Sequence, residues 1–352
     1  MSHLEERLQN DLTTIRNCIA GQAGKVEVAL DDALQALQSG HKKLAYATIL
    51  NDYPINRTMR EIDRLCHRFI AVHLPSGAHL RFLSAAIRVN IELERMGDYA
   101  VTIAREAVQL SSPPANTLGR ELDRIATETM LMFRQSTNAF NQLNAELAHS
   151  TKLLSGAMEY NLSTVYQEIA NVSQVKDVKD TLALFVVFNQ LKRVADQAKN
   201  LCEDAIFAAT GAQKDPKVFN VLFVDEDNSF LSQLAEAVAR KNYPDAGHYR
   251  SAGRVPAQSL NAALIAFMAD RGISMESVRP AALTELTPHE IADQEVIVSL
   301  QGDVESYFPE IPFHTSALQW DIEVESVQVE SLYRTLALQV KDLMVLLRGE
   351  EG

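Results

Sequence analysis

Residues 4–37 read LEERLQNDLTTIRNCIAGQAGKVEVALDDALQAL, and the spacing of their apolar side chains decides the fold of the first part of the chain. These side chains recur every three or four residues, at Leu4, Leu8, Leu12, Ile15, Ile19, Ala23, Val26, Leu30, Ala33 and Leu37. The spacing places them on one face of an α-helix, which is about 50 Å long at a rise of about 1.5 Å per residue. Ser39-Gly40 predicts the end of this helix.

Two more segments of this kind follow. One is predicted to be helical from about 41 to 72 and is ended by Pro75-Ser76-Gly77. The next runs from about 80 to 111 and stops before Ser112-Pro113-Pro114. Three long amphipathic helices with short breaks between them indicate an antiparallel helical bundle.

The pattern is then repeated. We predict three further helices near 117–148, 151–173 and 178–210. Asp52-x-x-Ile-Asn56 aligns with Glu159-x-x-Leu-Ser163, and Glu94-Arg-Met-Gly-Asp98 aligns with Lys192-Arg-Val-Ala-Asp196. A repeat of about 100 residues indicates two copies of one three-helix bundle.

After residue 213 the periodicity changes. Lys214-Asp-Pro-Lys217 is a polar linker, and the apolar run at 218–224 predicts a buried strand. Further strands are expected at 248–253 and 296–300, with helices at 229–242, 258–271 and 326–348. Strands that alternate with helices predict a parallel sheet flanked by helices. The chain is therefore expected to be a multidomain protein, all-α first and α/β afterwards.

Composition and charge narrow the class of protein. No apolar run is long enough for a membrane span, and no apolar segment follows a basic patch at the start, so we expect a cytoplasmic protein without membrane insertion. Three scattered cysteines without a CxxC pair exclude a zinc finger. The net charge is -13, and residues 217–352 hold 10 Lys and Arg against 21 Asp and Glu. This excess of acid argues against nucleic acid and against anionic membrane surfaces as partners of this part of the chain.

Three motifs stand out in the helical region, namely Asp52-Tyr-Pro-Ile-Asn-Arg-Thr-Met-Arg-Glu-Ile-Asp63, Leu93-Glu-Arg-Met-Gly-Asp98 and Ala209-Thr-Gly211. They resemble the PhoU family over about residues 3–213. The resemblance implies a cytoplasmic adaptor between the ATPase subunit of a phosphate ABC transporter and a phosphate-responsive sensor histidine kinase. Such an adaptor keeps the kinase quiet when phosphate is plentiful. We also expect a homodimer.

Carboxylates at helical spacing predict a metal site in the first repeat. Glu94 and Asp98 lie four residues apart on one helix, as do Asp52 and Asn56 on the neighbouring helix. Their oxygen atoms suit magnesium, manganese or iron, and zinc is a further candidate. The PhoU resemblance implies multinuclear clusters of divalent or trivalent metal ions at such pairs. Weaker candidate ligands are Glu61, Glu159 and Asp196.

The second repeat departs from this pattern. Lys192 stands where the first repeat has Glu94, and Ser163 stands where it has Asn56. An ammonium group repels a bound cation and can pair with Asp196 instead. We therefore expect one metal site, in the first repeat.

Two alternatives to a metal-dependent phosphate regulator stay open. The first is that Glu94 and Asp98 lie on a solvated face, with Arg88 and Arg95 as their ion-pair partners. The second is a metal-binding structural adaptor that is unrelated to phosphate.

Four motifs follow in order after residue 217, namely Val221-Leu-Phe-Val-Asp-Glu-Asp-Asn-Ser-Phe-Leu-Ser-Gln-Leu-Ala-Glu-Ala237, Ser251-Ala-Gly253, Gly272-Ile-Ser274 with Arg279-Pro280, and Trp320-Asp-Ile322. Their order resembles the low-molecular-weight tyrosine phosphatase and arsenate reductase superfamily. The expected domains are a first bundle at 1–113, a second bundle at 114–213, the linker at 214–217 and a phosphatase-like domain at 218–352.

The catalytic positions that this resemblance implies are lost. Asp225 replaces the nucleophilic cysteine, Leu231 the phosphate-binding arginine, and Val324 the general-acid aspartate. Because no cysteine follows Cys202, a thiolate mechanism has no nucleophile. The three carboxylates at 225–227 repel phosphate, by about 1 kcal/mol for each pair of charges 4 Å apart in water. We therefore expect an inactive domain, with no catalytic and no cofactor-binding residues.

The acidic loop at 225–227 has other interpretations. Receiver domains and haloacid-dehalogenase-like phosphatases also place acids after a first strand, but they need a later lysine, and none lies between Lys241 and Lys341. A metal-dependent phosphatase with Asp225 as its nucleophile is the enzymatic alternative. The simplest interpretation is that the carboxylates cap the next helix, whose N-terminus favours negative charge. We favour a negative regulator of phosphate transport and signalling that acts by protein contacts.

Overall fold

A computed structural model describes residues 3–155, 165, 178–214, 216–275, 277–308, 310–312, 315–323 and 328–349. The chain divides into two compact units, Met1–Lys214, called the helical unit below, and Asp215–Gly352, called the α/β unit. Among the described residues, no helix combines the length and the apolar character that crossing a bilayer requires.

The helical unit is built around two long helices that pack against each other, α4 and α7. Its described helices are α1 His3–Ser39, α2 Lys42–Leu50, α3 Asp52–His73, α4 Gly77–Gln109, α5 Asn116–Gln142, α6 at 145–155 and α7 Val178–Thr210. The first three of these helices each contact α4, and α5 packs on α7. Large buried side chains such as Phe69, Phe133, Phe140 and Phe188 fill the core. The helices predicted at 4–37, 80–111 and 178–210 are confirmed.

The helix predicted from 41 to 72 is wrong in one respect, because it is two helices that meet at Asn51. Pro54 explains the break. Proline has no N–H to donate to the Leu50 carbonyl, and its ring would collide with that carbonyl if the helix were continuous. The chain therefore starts a new helix at Asp52, which places this carboxylate in the first turn of α3.

The helix predicted from 117 to 148 also ends early, at Gln142. Leu143 adopts a left-handed backbone with φ of 51°, and the Asn144 N–H donates to the Ala139 carbonyl at 2.8 Å. This pattern is a common way of ending a helix. The Asn144 side chain then accepts the Leu147 N–H at 3.0 Å and starts α6. Much of the helix predicted at 151–173 lies outside the described residues.

The α/β unit contains a four-stranded parallel sheet, so the predicted fold class is confirmed. Its elements are β1 Phe219–Asp225, α8 Leu231–Asn242, β2 Gly247–Gly253, α9 Ala262–Ala269, α10 Pro288–Ala292, β3 Val296–Ser299, β4 Ser316–Gln319 and α11 Val329–Arg348. The strand order is β2-β1-β3-β4, and every pair is parallel.

Successive side chains of β1 point to opposite faces of this sheet, as the alternation of a strand requires. Val221 and Phe223 pack with α8, α9 and α11 on one face, where the ring centroid of Phe223 lies 5.8 Å from that of Trp320. Leu222 and Val224 pack on the other face. The strand is therefore buried on both faces, and its carboxyl end places Asp225 at the start of the following loop.

Candidate functional site

The predicted metal ligands lie where α3 packs closely against α4. A Cβ atom on Gly97 of α4 would come within 3.2 Å of the Ile55 Cδ1 atom of α3. Ile55 lies within the α3 pair of ligands and Gly97 within the α4 pair, so this contact brings the two pairs to the same part of the helix interface. The four side chains are Asp52, Asn56, Glu94 and Asp98.

The negative charges at this interface act on one another. Partial burial, followed by the charges of Asp98 and Asp52, raises the pKa of Glu94. Partial burial and the charge of Asp52 also raise the pKa of Asp98. None of the three carboxylates forms an ion pair with a residue that the structure describes. The charges of Arg95 and Arg105 oppose these shifts without reversing them, so the interface keeps an excess of negative charge that a bound cation would offset.

Asp52 carries the clearest sign of an unfilled interaction. Its Oδ2 atom accepts a hydrogen bond from the Asn56 Nδ2 atom at 2.5 Å. Its Oδ1 atom is buried and has no hydrogen-bond partner among the described residues. Buried oxygens of this kind are uncommon, because they lose their contact with water and receive nothing in return.

The four side chains are neighbours, but they do not form a closed cage. In the described part of the chain, no three acidic, histidine or cysteine side chains lie close enough together to hold a metal ion as they stand. Their oxygen atoms and their unbalanced charge suit a hard cation. Holding one would require rotation of the half-buried Glu94 and the exposed Asp98 side chains.

The weaker candidates do not join this site. Glu61 is exposed and lies about 7 Å beyond Asn56 along α3, turned about 140° away from it around the helix. Glu159 and Ser163 lie outside the described residues. Asp196 accepts a hydrogen bond from the Lys192 Nζ atom at 3.3 Å, which is the ion pair predicted for the second repeat.

Arg88 is not the ion-pair partner of Glu94, so that part of the solvated-face alternative is wrong. Its guanidinium pairs instead with the buried carboxylate of Asp204 on α7, with the Nε atom 2.5 Å from the Oδ1 atom. Arg88 faces α7, whereas Glu94 faces α3, because six residues separate them on α4 and turn them to different sides.

The structure contains a cavity between α4 and α7 that the sequence patterns did not predict. It has a volume of about 410 Å³ and is lined by Arg88, Glu92, Asn200, Glu203, Asp204, Phe207, Gln213 and Lys214. Burial, followed by the charge of Asp204, raises the pKa of Glu92 to about 8. A signal was present in the sequence, since Glu92 follows Val89 by three residues and precedes Met96 by four, on the apolar side of α4.

In the α/β unit, carboxylates in the loop after β1 accept hydrogen bonds from backbone N–H groups of the same loop and of the start of α8. Asp225 is buried, and its two oxygens accept the backbone N–H groups of Asn228 at 2.6 Å and Ser232 at 2.8 Å. Burial raises the pKa of Asp225, and these hydrogen bonds oppose the rise. Asp227 caps the next turn by accepting the Ser229 N–H at 2.9 Å.

The structure describes one of the other two positions that the phosphatase resemblance singled out. Leu231 is buried in the core that covers one face of the sheet. Val324 lies outside the described residues. A carboxylate thus occupies the start of α8, where backbone N–H groups would otherwise meet an anion.

The helical unit is similar to known proteins. Residues 19–107 match the PhoU domain family model. The phosphate-specific transport system accessory protein PhoU homolog of Pseudomonas putida is 28% identical over 212 residues, which is 59% of this chain and 83% of that protein. The crystal structure of PhoU from Pseudomonas aeruginosa is 27% identical, covers 58% of this chain and 99% of its own, and superposes with a TM-score of 0.56. The helical unit therefore has a PhoU-like fold.

The α/β unit also has structural neighbours. An arsenate reductase in the phosphate binding state covers 37% of this chain and 98% of its own, with 22% identity and a TM-score of 0.33. At that score, the α/β assignment rests on the parallel sheet rather than on the likeness.

Proposed function

We propose that this protein is a cytoplasmic regulatory adaptor of phosphate transport, and that it restrains phosphate-starvation signalling when phosphate is plentiful. The observation that carries the proposal is the helical unit, which matches proteins named as phosphate-specific transport system accessory proteins over 59% of the chain. Its partners would be the ATPase subunit of a phosphate ABC transporter and a phosphate-responsive sensor histidine kinase. It would act as a homodimer.

The metal site is part of this proposal. Asp52, Asn56, Glu94 and Asp98 would hold a hard cation such as magnesium, manganese or iron, or else zinc. Two observations support it: the buried Asp52 Oδ1 atom has no hydrogen-bond partner, and the charge of Asp52 raises the pKa values of its neighbours. The cation would supply the missing positive charge and would tie α3 to α4.

Elemental analysis of protein purified without chelator tests the metal site. We expect a bound metal in the wild-type chain and its loss in Glu94→Ala, with Glu61→Ala as an exposed glutamate control. The same metal content in all three proteins would contradict the site.

We infer that the α/β unit is not catalytic and adds a contact surface. The support is the loop after β1, where both oxygens of Asp225 are occupied by backbone N–H groups. This arrangement disfavours the alternative of a phosphatase with Asp225 as its nucleophile. That alternative predicts turnover of an aromatic phosphate ester with magnesium and its loss in Asp225→Asn.

The regulatory proposal is tested with a reporter of the phosphate-starvation response in a deletion strain grown with plentiful phosphate. We expect the reporter to switch on after deletion and to fall silent when the full chain is restored. A chain ending at residue 214 tests the need for the α/β unit, and Glu94→Ala with Asp98→Ala tests the metal site. A reporter that stays silent after deletion would contradict the proposal.

A further inference from the structure

The outward side of α3 carries a line of exposed residues that the metal site does not use. Its members, spaced three or four residues apart and all exposed, are Tyr53, Arg57, Arg60, Arg64, Arg68 and Val72, and we call them the α3 stripe. The buried residues of the helix, including Ile55, Ile62 and Phe69, lie on its opposite side. The stripe is about 28 Å long at 1.5 Å per residue.

The four arginines of the stripe have no acidic partner within the described part of the chain. None forms an ion pair with a residue that the structure describes, and Arg60 only donates from its Nε atom to the Asn56 carbonyl of its own helix, at 3.3 Å. Glu61 and Asp63 lie beside the stripe, and Asp63 faces His67 at 3.5 Å. The centre of the stripe is therefore positively charged, on a protein whose net charge is -13.

Apolar side chains are exposed at both ends of the stripe. Tyr53 is 68% exposed at one end and Val72 is 45% exposed at the other. Leu50 and Leu74, which precede and follow α3 in the chain, are 77% and 82% exposed. Exposed tyrosine and aliphatic side chains can enter the interfacial layer of a bilayer, and arginines beside them meet anionic headgroups, while the apolar face of α3 itself stays in the protein core.

We propose that the α3 stripe binds the surface of an anionic lipid bilayer, with α3 lying parallel to it. Guanidinium groups bind phosphate through two parallel hydrogen bonds, so a row of arginines suits lipid headgroups. A protein partner would instead favour an apolar centre with charges at the rim. The order here is the reverse, with charges in the middle and apolar side chains at the ends. The proposal concerns lipid and does not depend on the proposed regulatory function.

Co-sedimentation with vesicles tests this proposal on the full chain. Vesicles of equal parts phosphatidylglycerol and phosphatidylcholine should bind the protein at low salt, and vesicles of phosphatidylcholine alone should not. Salt at about 1 M should release it, because the Debye length is then only about 3 Å. Arg64→Gln with Arg68→Gln should weaken binding about 25-fold, at about fivefold for each arginine.

Two controls make the result specific to the stripe. Arg7→Gln with Arg120→Gln removes the same charge from exposed arginines of α1 and α5 and should change binding less than twofold. Glu61→Gln removes an acid from the flank of the stripe and should strengthen binding. Circular dichroism checks that each variant is folded.

Three outcomes would overturn the proposal. They are equal binding to both kinds of vesicle, an equal loss in the two double variants, and no binding at low salt by the folded wild-type chain. Capture of an acidic protein through the same arginines, without vesicle binding, would assign the stripe to a protein partner instead.

Discussion

Glu92 is a buried glutamate whose Oε2 atom has no hydrogen-bond partner among the described residues. Burial, and then the charge of Asp204, raises its pKa from 4.5 to about 8. Between these values the folded protein keeps a proton that the unfolded chain releases, so stability falls as pH rises through this window. Glu92 thus opposes folding at neutral pH, at the cavity between α4 and α7.

Replacing Glu92 by glutamine should remove this penalty. We expect Glu92→Gln to increase the free energy of unfolding by about 3 kcal/mol at about pH 8, and by much less at about pH 5. Urea unfolding followed by far-ultraviolet circular dichroism measures both values. Glu61→Gln, at an exposed position, is the control. An equal gain at both pH values would show that the carboxyl charge is not the cause.

Asp225 stabilises the folded state, in contrast to Glu92, because its carboxylate accepts hydrogen bonds from two backbone N–H groups. Asp225→Ala would leave the N–H groups of Asn228 and Ser232 without a partner. We expect a loss of about 2 kcal/mol from the α/β unit, measured by calorimetry. Asp227→Ala, at an exposed residue of the same loop, should cost less than about 1 kcal/mol. Equal stabilities of the two variants would contradict this role.

At the scale of elements, the contact between Gly97 and Ile55 sets how closely α3 approaches α4. Gly97→Ala should gain about 1 kcal/mol from helix propensity, but its Cβ atom would crowd Ile55. We expect little net gain in the wild-type background and the full gain in an Ile55→Ala background. Thermal unfolding of the four proteins gives the coupling energy, expected to be about 1 kcal/mol. Equal effects in both backgrounds would mean that α3 shifts freely.

Most helices and strands could be predicted from periodicity, because burial of one face repeats at a fixed spacing. The breaks at Asn51 and Leu143 were missed for different reasons. Pro54 predicts a break in the helix, but apolar residues continue at helical spacing on both sides of it, so the periodicity predicted one helix. Leu143 adopts a left-handed backbone that its residue type does not favour, so tertiary packing and the Asn144 cap decide it. Strand β4 was missed because Ser316-Ala-Leu-Gln319 is short, mostly exposed and free of β-branched residues.

The candidate site could be predicted only in part. Helical spacing paired Glu94 with Asp98 and Asp52 with Asn56, since residues four apart share a face. Whether the two pairs meet depends on how α3 packs on α4 at Gly97, which spacing within one helix does not specify. The pairing of Lys192 with Asp196 followed from charge alone and is observed. The prediction that Arg88 pairs with Glu94 was wrong. Its partner is Asp204 of α7, which lies far along the chain and which spacing within α4 does not reveal.

For the whole molecule, the division at Lys214 predicts two separate folding events. The two units have their own hydrophobic cores. We expect calorimetry to show two transitions, and a chain ending at residue 214 to keep the helical transition within about 3 °C. A single cooperative transition, or a truncated chain that does not fold, would show that the units depend on each other.

Trp320 is the one tryptophan of the chain, and it packs beside Phe223 in the α/β unit. Intrinsic tryptophan fluorescence therefore reports on that unit alone, with no label and no engineered residue. A metal, lipid or protein that binds only the helical unit should leave this emission unchanged. A shift in emission on adding such a ligand would thus be direct optical proof that the two units communicate.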